Sequence, residues 1–439
     1  MKSDKFCAAV GKRLAAVTAA LVVALMLSPL AWAASKYQVL YEFTGGADGN
    51  EFMEVTNEGN WFSSGLVFDT AGNLYGTTAA GGAYGYGVVF KLAPNSDGSW
   101  TESVLHSFTG GADGACPFAG PIFDTAGNLY GTTSGGGSGS CSNAYTQGCG
   151  VVFELTPNLD GSWTESVLHS FTGGVDGAQP EARLTFDAAG NLYGTTDAGG
   201  VQSGPCGNST YSGGCGVAFK LTPNSDGRWT ESLLHGFTGG WDGGTEIGPL
   251  TFDAEGNLYG TAQGGKYGQG VVFRLTPVAG TWKETVLHAF PYQGTDGADP
   301  FSFTGLVFDA AGNLYGTTFW IPTFGGGSVF KLTPTSSGPW KWSLVHSFGP
   351  ANANHPVAGV VLDGAGNIYG TDVSGGIGDG IVFKVTPTSG GGWTYTVLHT
   401  FLNQPLSCPF SLIIDATGNL YGTGCSSNLG AGGVFEITP

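Results

Sequence analysis

Phe68-Asp69-Thr70-Ala71-Gly72-Asn73-Leu74-Tyr75-Gly76 returns six more times along the chain with small changes. Its aspartate recurs at Asp124, Asp187, Asp253, Asp309, Asp363 and Asp415, so successive copies lie 55, 63, 66, 56, 54 and 52 residues apart. Around the first copy four strand-like runs stand out: Leu66–Asp69 (a), Asn73–Thr78 (b), Val88–Leu92 (c) and Trp100–Phe108 (d). Turn residues such as Pro94-Asn95-Ser96-Asp97-Gly98 separate them, and no intervening stretch has helical period and length. The spacing exceeds the ~40–50 residues of familiar propeller repeats. Four short strands repeated seven times still predict an all-β chain, a seven-bladed β-propeller of four-stranded antiparallel blades.

The two ends of the chain fit a closed ring. The last copy supplies runs a, b and c, ending in Gly433–Pro439, but no d. Tyr37–Phe43 matches Trp100–Phe108 in register and precedes the first a run. The N-terminal strand is therefore predicted to complete the last blade, which removes the free edges that invite aggregation.

The phrases Gly-Asn-Leu-Tyr-Gly-Thr, Gly-Val-Val-Phe-Lys-Leu and Val-Leu-His-Ser-Phe closely resemble the GloVer tandem repeat of exported, variably anchored bacterial proteins. That resemblance spans residues 37–439. The Asp-x-x-Gly-Asn-x-Tyr segment is more distantly similar to NHL-type propeller repeats. The resemblance implies export and a propeller-like array. It implies no established activity and carries no catalytic residues over.

Composition is consistent with a folded array. Gly (79) and Pro (21) are abundant, yet 41% of the 439 residues are hydrophobic and 13% aromatic, enough to bury a large core. Only 11% are charged, and the formal net charge of −18 argues against a nucleic-acid partner, which needs clustered Lys and Arg.

Residues 1–33 read as a secretory signal peptide. Lys2, Lys5, Lys12 and Arg13 precede the apolar run Leu14–Leu27, and Ala31-Trp32-Ala33 offers a cleavage site after Ala33. The run is shorter than the ~20 residues of a spanning helix. Residues 34–439 are then one propeller domain with 11 basic and 32 acidic residues, net −21. This suits an extracellular or periplasmic monomer that neither inserts into a membrane nor seeks an anionic lipid surface.

Cys7 leaves with the signal, and seven cysteines remain. Cys141 and Cys149 bracket one loop; Cys206 and Cys215 bracket the matching loop of the next repeat. Bridges are expected within each pair, and between Cys408 and Cys425, whose runs a and b are adjacent. Cys116 is left as a thiol, since Ser134 stands where its partner would be. The rival pairing is Cys116–Cys141. Zinc is disfavoured, with no CxxC pair and no nearby His.

His106, His169, His235, His288, His346 and His399 share one position of run d. At three ~4.8 Å strand spacings from run a they lie at least ~14 Å from the axis, too far apart to share a metal. They read as packed blade residues, with alternation placing His106 beside Trp100, Val104 and Phe108. Asp69 reads as a hairpin residue accepting turn amides. The loops Gly45–Gly49, Gly110–Gly114 and Gly173–Gly177 leave isolated calcium sites open; no other metal or cofactor is expected, and no nucleotide or hydrolase motif is present.

Recognition is therefore sought where the repeats differ. The b–c and d–a loops vary, and both fall on one face of a four-stranded meander. There the sequence offers Trp61, Trp241, Phe319 and Trp320, with Glu54, Glu181, Arg183 and Glu246. Ligand contact is expected from Trp61, Glu181, Arg183, Trp241, Glu246, Phe319 and Trp320, around the mouth between blades three, four and five. The favoured function is a non-catalytic binding propeller for glycans or cell-envelope components. The alternative is a polysaccharide hydrolase or lyase using loop carboxylates. The net charge disfavours a simple anionic ligand unless Arg183 or Lys266 compensates.

Overall fold

The computed structural model describes residues 35–50, 65–141, 147–201, 206, 213–292, 300, 305–319, 326–336, 338–349, 355–375, 379–426 and 431–439. The signal-peptide segment, Glu54, Trp61 and Trp320 lie outside them. Blade one has strands Val67–Phe68, Leu74–Thr78, Val88–Pro94 and Trp100–Ser107, paired in that order. Each a strand is thus shorter than its sequence run. The same antiparallel order repeats in five more sheets and in a seventh, where the short strand Leu406–Ser407 also pairs with strand b, giving a seven-bladed β-propeller.

Each hairpin begins on its aspartate. Asp69 Oδ1 accepts the amides of Ala71 and Asn73, while Oδ2 accepts the Asn73 amide nitrogen and the Tyr75 hydroxyl. Burial would raise the pKa of Asp69, but these bonds from Asn73, Tyr75 and Ala71 hold it below the usual value. The glycine two residues past the leucine serves packing. A β-carbon on Gly76 would fall 2.6 Å from Phe90 Cζ, its cross-strand partner. The bare backbone lets the phenylalanine ring lie flat across strand b.

That phenylalanine is one half of the contact between blades. Phe90 meets Phe43 edge to face at 5.0 Å. Equivalent pairs join Phe108 to Phe153, Phe171 to Phe219, Phe237 to Phe273, Phe290 to Phe330, Phe348 to Phe383 and Phe401 to Phe435. Seven apolar clusters fill the seven boundaries between neighbouring blades. Nearer the axis, strand-b threonines donate to the next blade's backbone: Thr77 to Ala119, Thr132 to Ala182, Thr195 to Ile247, Thr317 to Ala358 and Thr371 to Phe410.

Closure follows the sequence expectation. Lys36–Glu42 pairs antiparallel with Gly433–Thr438, from Lys36 opposite Thr438 to Glu42 opposite Gly433. The first and the last strand of the described residues therefore both belong to blade seven.

One expectation about side-chain direction is corrected. A bulge in strand d pairs Phe90 with Val104 but Val89 with His106, leaving Leu105 extra. An extra residue reverses the alternation beyond it. Trp100 and Val104 therefore lie on the Phe90 side, whereas His106 and Phe108 lie on the Val89 side, their rings 4.7 Å apart. His106 faces Asp113 at 3.4 Å; burial lowers its pKa, and Asp113 opposes the shift.

Candidate functional site

The sixth residue counted from the start of each strand b differs from blade to blade, and these seven residues surround the axis on the loop face. In order they are Ala79, Ser134, Asp197, Gln263, Phe319, Val373 and Cys425. The d–a loops lie against them. Asp197 N–H donates to Gln179 O, Ser134 N–H to Cys116 O, and Val373 N–H to His355 O. These loops hold their course through left-handed backbone at Cys116, Gln179, Thr245 and Cys408, one equivalent position in four repeats. Glu246 adds a second consecutive left-handed residue, with φ of 40°.

Blades two to four contribute a polar arc. Glu181, in the loop entering blade three, is hydrogen-bonded to Asp197, with the Ser134 hydroxyl beside it and Glu246 nearby. Burial, then the charge and hydrogen bond of Asp197, then the charge of Glu246, hold Glu181 well above the usual carboxyl range. Burial pushes Asp197 up to about 6, against the lowering pull of the Ile247 amide, which donates at 3.1 Å, and of Glu181. Two carboxyls in contact cannot both ionise cheaply. Glu181 keeps the shared proton, because Asp197 has the backbone donor that stabilises an anion. Glu246 Oε2 accepts from Gln263 Nε2 at 3.0 Å. Although enclosed by protein, Glu181, Arg183 and Asp197 each keep part of their surface open to solvent.

Blades five to seven contribute an apolar arc. Phe319 packs against the cluster of Val357, Val373 and Phe410, together with Cys408 and Cys425. The His355 ring stacks on Phe319 at 4.5 Å, and its Nδ1 lies 3.0 Å from Ser374 Oγ. Burial lowers the pKa of His355, so this ring is neutral at neutral pH.

The sequence-selected residues therefore separate. Glu181, Glu246 and Phe319 lie on the two arcs. Arg183 stands one step further in, at a position held elsewhere by Gly65, Gly120, Pro249, Gly305, Gly359 and Ser411. Trp241 lies outward: its neighbour Asp242 contacts His235 of the outer strand at 3.1 Å. Trp241 is 70% exposed and meets Lys266, which lies 4.8 Å from its ring and 4.8 Å from that of Tyr267. Sequence reasoning missed Ser134, Asp197, Gln263 and His355. The first three were discoverable as the variable position after Leu-Tyr-Gly-Thr; attention to loops alone passed over a strand end.

Two of the expected bridges are formed, Cys141–Cys149 and Cys206–Cys215, and Cys116 is a thiol. The third is corrected: Cys408 and Cys425 remain thiols. Strand pairing sets Cys425 opposite Ser407 rather than Cys408, and the chain turns away at Cys408 through its left-handed φ of 42°. The Cys425 side chain hydrogen-bonds the Cys408 thiol and also approaches the Cys408 carbonyl at 3.9 Å.

The sequence matches the Gloeobacter/Verrucomicrobia repeat over residues 29–204 and 261–439. No curated protein matches it. Among solved structures, a protein from Lactobacillus plantarum superposes with a TM-score of 0.51 at 12% identity, covering 84% of this chain and 99% of its own. The polysaccharide lyase Uly1 gives 0.49 at 10% identity, with 92% and 98% covered. A putative 6-phosphogluconolactonase from Bacteroides uniformis gives 0.48 at 13% identity, with 76% and 83% covered. At such identities the likeness concerns the fold alone.

Proposed function

This chain belongs to the Gloeobacter/Verrucomicrobia repeat family, and from that premise we propose that it is an exported, non-catalytic propeller that binds glycans at the axial mouth of its loop face. The observation that carries this reading is the division of the mouth. Hydrogen-bonding groups of Glu181, Asp197, Glu246 and Gln263 occupy one arc, and Phe319 with its apolar neighbours occupies the other. A sugar ring presents hydroxyls at its edge and C–H groups on its face, and a mixed site matches both.

Carboxyl spacing favours binding over hydrolysis. Glycosidases hold their two carboxyls ~5–5.5 Å or ~6.5–9.5 Å apart, to flank the bond they cleave. Glu181 and Asp197 are instead hydrogen-bonded to each other. Export is supported by the two local disulfides, which persist in oxidising compartments. Among the described residues, no helix is long and apolar enough to cross a membrane.

Calorimetry against a panel of neutral and acidic cell-envelope and plant polysaccharides tests the reading. Binding by the wild type that weakens in Phe319→Ala and Gln263→Ala supports it. Absence of binding to every member, or release of reducing ends from any of them, overturns it.

A further inference from the structure

Arg183 is the one long side chain in an otherwise small ring. Its counterparts before the a strands are Gly65, Gly120, Pro249, Gly305, Gly359 and Ser411. Backbones crowd together there: a β-carbon on Gly120 would collide with the Gly65 carbonyl, and one on Gly305 would lie 2.9 Å from Pro249 Cγ. Small residues at six positions leave the axial space to the seventh.

Among the described residues no carboxylate is paired with the guanidinium. Arg183 Nε is sealed from solvent and has no hydrogen-bond partner. Among the described residues the ion pairs join His106 to Asp113, His169 to Asp176 and His235 to Asp242, and none involves Arg183. Its pKa is lowered by burial alone, with no carboxylate raising it. An enclosed charge without an ion-pair partner is costly to keep. The chain is otherwise strongly acidic, yet this cost is left standing in the ring of small residues, where Arg183 keeps part of its surface open to solvent. Glu181 and Asp197 engage each other rather than the guanidinium.

We propose that Arg183 is the anchor of an anion subsite on the propeller axis, which takes the carboxylate of a uronic acid unit in a glycan held at the mouth. The proposal rests on the glycan reading above and narrows it to acidic glycans. A guanidinium fork matches a carboxylate with two parallel hydrogen bonds. The Nε–H is one of the two donors on such an edge. The adjacent carboxyl arc then receives the hydroxyls of the same sugar.

Two measurements test it. In the first, the Nε–H resonance of Arg183 is followed in arginine-labelled protein, identified by its loss in Arg183→Gln, during titration with galacturonate or galactose. A shift with galacturonate and none with galactose supports the subsite; no shift with galacturonate overturns it, whether or not polysaccharides bind. In the second, calorimetry compares a uronate oligosaccharide with its carboxyl-reduced form. The wild type should prefer the uronate by at least about tenfold, the size of a charge-assisted hydrogen bond. Arg183→Gln should lose that preference, and Arg183→Lys should keep only part of it. Equal affinities in the wild type, or an undiminished preference in Arg183→Gln, overturn the proposal. A sulfated oligosaccharide that outcompetes the uronate overturns the carboxylate assignment. Failure of both oligosaccharides to bind counts against the glycan reading, while the resonance titration still decides the subsite.

Discussion

Glu181 and Asp197 share one proton across a hydrogen bond, one residue coming from a loop and the other from the end of a strand. Both titrate above their unfolded values of about 4. Their stabilising contribution is therefore complete below pH ~4 and is lost as pH rises through about 6 for Asp197 and higher for Glu181. Glu181→Gln keeps a hydrogen-bond donor and removes one ionisation. Its melting temperature should rise relative to wild type between pH 5 and pH 8. Parallel melting curves across that range would show that the two carboxyls do not share a proton.

Phe43 closes the ring by packing on Phe90, as Phe171 packs on Phe219 within it. Phe171→Ala should cost about 3–5 kcal/mol, the range for a buried phenylalanine. If the N-terminal strand is a full member of blade seven, Phe43→Ala should cost about the same in a urea titration. A loss below about 1 kcal/mol for Phe43→Ala alone would mean that the strand is only loosely attached.

Cys408 and Cys116 occupy equivalent loop positions but differ in reactivity. The hydrogen bond from Cys425 draws the Cys408 thiol down to about 7, whereas burial and the Glu181 charge push Cys116 up to about 12. Iodoacetamide at pH 7.5 should therefore modify Cys408 well before Cys116, as read by peptide mass mapping. Equal labelling, or labelling of Cys116 first, would contradict this order.

Trp241 stands 70% exposed against Lys266. Trp241→Ala should leave unfolding free energy within about 0.5 kcal/mol of wild type, because little packing is lost. Its effect on glycan affinity should be smaller than that of Phe319→Ala, which lies at the mouth. A larger effect at Trp241 would move the binding surface to the outer rim.

Much of the architecture was legible in one phrase. Asp69, Asn73 and Tyr75 recur together because each hairpin needs all three to satisfy its turn, and Gly76 recurs because Phe90 lies across it. These are contacts within one repeat, so every copy writes them out again. The disulfides within single loops were legible for the same reason. The direction of His106 was not, since one extra residue at Leu105 reverses the alternation without leaving any mark in composition.

By itself the sequence determined seven blades, their strand order and the closing strand, because local hydrogen bonding and periodic burial are properties of short segments. Only the tertiary structure decided which variable residues meet. Asp197 directly follows a strand and Glu181 belongs to a loop, and nothing in their spacing says that they share a proton. Cys408 and Cys425 looked paired until the register placed Ser407 opposite Cys425. Arg183 was conspicuous as a rare residue type, but its unpartnered Nε appears only when seven blades converge on the axis. Packing around that axis joins segments from the whole chain, and the energy of a buried charge depends on all of them at once.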